Sequence, residues 1–116
     1  MRTALSLVLS CALATPVSAL GCARDAMLVF DGSASMAEVG YDPSAPTRID
    51  EARAALRRAM PRIAPVRRVG LLTYGPGGVE GCGGIALQFA PRADAGGAVV
   101  DAVEGLRPGG LTPLAE

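Results

Sequence analysis

The feature that most constrains this chain is the apolar run AMLVFD, Ala26 to Asp31. A continuous apolar stretch of this length, bounded by turn residues, predicts a strand buried on both faces. After the loop GSASMAEVGYDPSAPT, residues Ile49, Ala52, Leu56, Ala59 and Ile63 recur at helical spacing. Thr47, with Asp50 three residues on, predicts the start of this helix as an acidic variant of the capping box, and Pro61 predicts its end. The run VGLLTY, Val69 to Tyr74, predicts a second strand. Past the glycine-rich GPGGVEGCGG, the run Ile85 to Ala90 predicts a third strand at a sheet edge, antiparallel to the second. DAGGAVVDAVEGL predicts a second helix, weakened by Gly96 and Gly97 but with Val99, Val100, Val103 and Leu106 on one side. A buried strand, a helix and a second strand imply a right-handed crossover and an α/β sheet.

The first residues stand apart from that pattern. MRTALSLVLSCALATPVSALG has one positive charge at Arg2, a short apolar core, and small or modest residues at Val17 and Ala19. This order of charge, core and cleavage site predicts a secretory signal over residues 1–19, with Leu20 opening a partial domain over 20–116. The core is short for a transmembrane helix. The expected destination is the periplasm or the exterior. The other end, GGLTPLAE, resembles the first turn of a third helix, capped by Thr112 with Pro113 at its first position. The chain is therefore expected to be the first part of a longer domain.

Composition excludes several functions. The formal net charge is zero, every basic residue is Arg, and none lies in a dense patch with aromatics, so nucleic-acid binding has no support. The chain has no histidine, which removes histidine-based zinc sites and any histidine general base. Outside the signal, Cys22 and Cys82 remain, and a pair of cysteines in an exported chain suggests a disulfide. Parallel first and second strands would put these two cysteines at opposite ends of the sheet, so either could instead pair with a cysteine elsewhere.

The chemistry is expected at the carboxyl end of the first strand, where open α/β sheets bind ligands. Asp31, Ser33 and Ser35 follow one another at every second position, around Gly32 and Ala34. One carboxylate with two hydroxyls is a hard-ligand set, suited to magnesium, or to manganese or calcium. Asp and Ser also form ordinary loops, and Thr112 also serves as an ordinary helix cap.

These residues carry a resemblance. The stretch from Cys22 to Glu116 is similar to the first half of a von Willebrand factor type A domain. That family opens its metal-ion-dependent adhesion site with Asp-x-Ser-x-Ser after the first strand, here Asp31, Ser33 and Ser35, with Met36 next. It adds a threonine from a loop such as PGGLTPL, here Thr112, and VGLLTYG resembles its second strand. The resemblance implies a Rossmann-like three-layer sandwich, with a mostly parallel sheet and an antiparallel edge strand. It also implies that Ser33, Ser35 and Thr112 hold Mg2+ (alternatively Mn2+ or Ca2+) directly, with Asp31 acting through a water. A further Asp of the family site has no counterpart here. The implied function is non-enzymatic, cation-dependent binding of a protein partner that offers an acidic side chain to the metal, with no nucleic acid and no membrane role beyond export. Ala34 departs from the glycine common at that position and would penalise a left-handed turn. The rival readings are a metal-dependent phosphohydrolase using Asp31, and a structural domain whose metal site is inactive.

Overall fold

The computed structural model describes residues 24–78 and 81–112, leaving aside the side chains of residues 81 and 82. The expected signal segment and the expected third helix past Thr112 lie outside the described residues. Within them the order is β1 (Asp25–Asp31), α1 (Arg48–Ile63), β2 (Arg68–Tyr74), β3 (Ile85–Arg92) and α2 (Gly96–Glu104). Short 3-10 turns occupy Ala34–Ala37, Pro76–Gly78 and Gly81–Gly84. The result is a small mixed α/β fold with a three-stranded sheet and two helices.

The sheet order is β1-β2-β3. β1 and β2 are parallel, in register from Asp25 opposite Arg68 to Asp31 opposite Tyr74. β2 and β3 are antiparallel, with register shifts between Val69 and Leu72. The crossover from β1 to β2 runs through α1. Its start is held reciprocally: the Asp50 N–H donates to Thr47 Oγ1 at 3.4 Å, and the Thr47 hydroxyl donates to Asp50 Oδ2 at 2.7 Å. Pro61 does not end this helix. Its ring removes one N–H, but the Ala64 N–H still reaches the Met60 carbonyl at 2.9 Å, so the last turn closes around it.

Both helices cover the same face of the sheet. Phe30, Ile49, Leu71 and Val103 form one buried cluster, and Met60, Val69, Ala95 and Val99 form the other. Leu28, Leu56 and Phe89 pack against both clusters. Gly96 opens α2 rather than weakening its interior. A Cβ there would stand 3.1 Å from the Ala64 side chain, so the missing side chain lets α2 approach the end of α1.

The expectation that β1 is buried on both faces is corrected. Met27 and Val29 are 43 % and 54 % exposed, and Ile85 and Leu87 are also exposed. No helix among the described residues lies over that side, so the layers described are two, not three. The disulfide expectation is corrected as well: no cysteine pair is found among the described residues. Cys22 and the Cys82 side chain lie outside them. The parallel register explains why the pairing was a poor one. β1 begins at the end of the sheet remote from the β2–β3 turn, about 20 Å away along seven residues of strand, whereas a disulfide spans Cα atoms within about 7 Å. Among the described residues no helix is long and apolar enough to cross a membrane.

Candidate functional site

The carboxyl ends of β1 and β2 are where three loops meet. Asp31 closes β1, and Gly32 extends the pairing by one bond, its N–H reaching the Tyr74 carbonyl at 2.8 Å. The chain then turns back on itself. The Ser33 N–H donates to Asp31 Oδ1 at 2.8 Å, and the Met36 N–H to the Ser33 carbonyl at 3.0 Å. Short side chains that bond to nearby backbone favour such turns over continued strand. Ser33 is buried, Ser35 is exposed, and their hydroxyl oxygens lie 3.3 Å apart.

Ala34 is not the weak point that the missing glycine suggested. Among the described residues the only non-glycine with positive φ is Asp94. Ala34 opens a 3-10 turn with ordinary backbone, so its methyl carries no left-handed penalty.

The segment after α2 joins the same place through its backbone. The Gly109 N–H donates to the Gly32 carbonyl at 2.9 Å, and the Ala34 N–H to the Gly110 carbonyl at 3.1 Å. The loop after β2 closes the group, with the Gly77 N–H on the Arg107 carbonyl at 3.1 Å. Such backbone approach requires glycine. A Cβ on Gly75, whose φ is +81°, would lie 2.7 Å from the backbone of Ser33, and one on Gly109 would lie 2.7 Å from the nitrogen of Gly78. Asp31, Ser33 and Ser35 are thus beside the 107–112 segment. Thr112 sits two residues past Gly110, exposed, and makes no hydrogen bond to those three side chains.

Tyr74 belongs to this site and was not singled out in the sequence. It is the register partner of Asp31 and is buried. Burial, then the Asp31 charge and a hydrogen bond with Asp31, raise its hydroxyl above the ordinary value of 10.0. Its signal was its place: a polar aromatic closing the strand that pairs in parallel with β1. Farther out along the loop, hydrogen bonds from the Ser44 hydroxyl and N–H hold Asp42 below the usual carboxylate value. The Thr47 hydroxyl and Arg53 do the same for Asp50.

The expected metal centre is corrected by this geometry. Among the described residues no group of three or more His, Cys, Asp or Glu side chains is placed to hold a metal ion. Among the described residues Asp31 is the one carboxylate at the junction, and its Oδ1 already accepts the Ser33 N–H. The next acidic groups are engaged elsewhere: Glu38 with Arg48, Asp42 with Ser44, and Asp50 with Thr47 and Arg53. Mg2+, Mn2+ and Ca2+ are held by oxygen sets whose affinity scales with ligand charge, and a lone carboxylate with hydroxyls turned to each other lacks it. The expectation of a bound Mg2+, Mn2+ or Ca2+ is therefore withdrawn. What remains is a hydroxyl-bearing, glycine-packed junction whose buried polar side chains are all hydrogen-bonded among the described residues.

No family model, curated protein or solved structure matches this chain.

Proposed function

We propose that this chain is part of an exported, non-enzymatic protein-binding module of the von Willebrand factor type A kind, whose partner docks at the carboxyl ends of β1 and β2 without a metal. The observation that carries the reading is the convergence of three loops on Gly32, Ala34 and Gly77 through backbone bonds from Gly109, to Gly110 and to Arg107. A junction fixed by backbone hydrogen bonds and glycine contacts is a preorganised platform, which lowers the ordering cost of binding. Chemistry finds less support there. The chain has no histidine, the Asp31 carboxylate accepts a backbone N–H, and Ser33 is buried against Ser35 rather than against a base. One observation favours a purely structural domain as second reading: the polar groups of the junction satisfy one another.

A photo-crosslinking residue at Ser35, which is exposed at the junction, tests the proposal in cells that export the full-length protein. The control position is Arg62, exposed at the far end of α1. The expected result is a discrete protein adduct from position 35, none from position 62, and no change on adding a chelator. Equal labelling from both positions, or none from position 35, supports the structural reading instead.

A further inference from the structure

Of the four aromatic residues in the chain, Phe30 and Tyr74 are buried and Phe89 is half-buried, whereas Tyr41 is fully exposed. An exposed tyrosine on a loose loop would mean little, since single apolar residues at the surface are normal. The loop that carries Tyr41 is pinned at its base and at its tip. At the base, Val39 and Thr47 form an antiparallel bridge, and the Arg48 N–H donates to the Glu38 carbonyl at 3.0 Å. The Arg48 guanidinium reaches the Ser35 carbonyl at 3.2 Å and Glu38 Oε2 at 3.1 Å, tying the loop to the strand-end turn. At the tip, Asp42 Oδ1 accepts from the Ser44 N–H at 2.9 Å and from its hydroxyl at 2.7 Å, and the Ala45 N–H donates to the Asp42 carbonyl at 3.0 Å. Pro43 and Pro46 restrict the backbone further. Tyr41 is therefore offered to solvent from a backbone already ordered, which lowers the cost of using an aromatic to anchor a protein interface.

Charge indicates what the anchor meets. Residues 31–47 contain Asp31, Glu38 and Asp42 and no basic side chain. Glu38 is neutralised by Arg48, but Asp42 makes no salt bridge among the described residues, and its bonds to Ser44 favour the ionised form. An exposed aromatic ring and an exposed carboxylate at adjacent positions are complementary to a guanidinium, which stacks on a ring and pairs with an acid. Val39, also exposed, offers a small apolar contact on the same loop.

We propose that the loop from Val39 to Thr47 docks an arginine-bearing segment of a partner protein, with Tyr41 under the guanidinium, Asp42 as its counter-charge and Val39 against an adjacent apolar side chain. This rests on the protein-binding reading given above and names the chemistry of the partner. Phage-displayed random dodecapeptides selected on the immobilised full-length protein are the probe. The expected selection is peptides with Arg beside an apolar residue. A synthetic copy of such a peptide loses about tenfold or more in affinity with Tyr41→Ser, and about threefold or more with Asp42→Asn, which keeps the oxygen that Ser44 needs. Tyr41→Phe retains most of the affinity because the ring face remains. Peptides without Arg, no selected peptides, or affinity indifferent to Tyr41→Ser overturns the assignment. If position 35 still crosslinks while Tyr41→Ser has no effect on peptide binding, the strand-end platform stands and the loop assignment alone falls.

Discussion

Gly75 and Gly77 hold nearly the same left-handed conformation, with φ of +81° and +76°. Only one of them is a packing site. A Cβ on Gly77 meets open space, whereas a Cβ on Gly75 meets the Ser33 nitrogen and Cα at 2.7 Å and the Leu111 carbonyl at 3.0 Å. Gly77→Ala is expected to cost about 1 kcal/mol, the conformational penalty alone. Gly75→Ala carries that penalty and must also push apart two backbones, for roughly 3 kcal/mol or more. Urea titrations of the two variants separate these terms. Equal losses would mean that the loops after β1 and β2 are not in the close contact described. The residue scale is also where the sequence misled. The spacing of Asp31, Ser33 and Ser35 suggests a cation cage, but among the described residues no three acidic side chains gather there, and the nearby ones are held by Arg48, Ser44, Thr47 and Arg53. Ala34 looked costly only because a left-handed turn was assumed. The place of Tyr74 opposite Asp31 depends on register, which a single strand's sequence does not display.

Arg53 shows how one side chain can fix two elements. From the middle of α1 its guanidinium donates to the carbonyls of Val103 at 3.3 Å, Glu104 at 3.2 Å and Leu106 at 2.7 Å, and to Asp50 Oδ1 at 3.0 Å. The last carbonyls of a helix have no partner within it, and a cation is favoured there. Arg53 thus ends α2 and holds the segment that leads to Gly109 and the junction. Arg53→Ala is expected to cost about 2–3 kcal/mol and to raise amide exchange in α2 more than in α1. Arg53→Lys restores less than half of this, since an ammonium lacks the planar fork that meets several carbonyls. Arg57→Ala, at an exposed pair with Glu104, costs under about 1 kcal/mol. If Arg53→Ala behaves like Arg57→Ala, the link between the elements is only apparent. Elements of this kind are largely legible in a sequence. The three apolar runs, the Thr47–Asp50 cap and the antiparallel third strand follow from local pattern. The Arg53 bridge spans some fifty residues and leaves no local trace.

At the scale of the whole molecule, periodicity predicts which residues are apolar but not what lies over them. The run from Ala26 to Phe30 has no alternation to separate one face from the other, so burial on both faces was the natural expectation. The structure divides it. Leu28 and Phe30 pack beneath α1 and α2, while Met27 and Val29 share the opposite face with Leu87 and face solvent. Two helices of the described residues fill one side of a three-stranded sheet and leave the other open, which is why the α/β class was readable and the number of layers was not. The asymmetry has an energetic consequence. Leu71 is fully buried at the centre of the covered face, and Leu71→Ala removes apolar contacts and leaves a cavity, for about 3 kcal/mol. Val29 is one pleat away in the parallel neighbour strand, yet its side chain points to the open face. Val29→Lys is therefore expected to change stability by less than about 1 kcal/mol, and to raise solubility by interrupting an exposed apolar patch on an edge strand of the described sheet. Thermal or urea unfolding of the two variants, with light scattering at rising concentration, measures both effects. A loss for Val29→Lys comparable to that of Leu71→Ala would show that the face carrying Met27 and Val29 is covered in the folded protein.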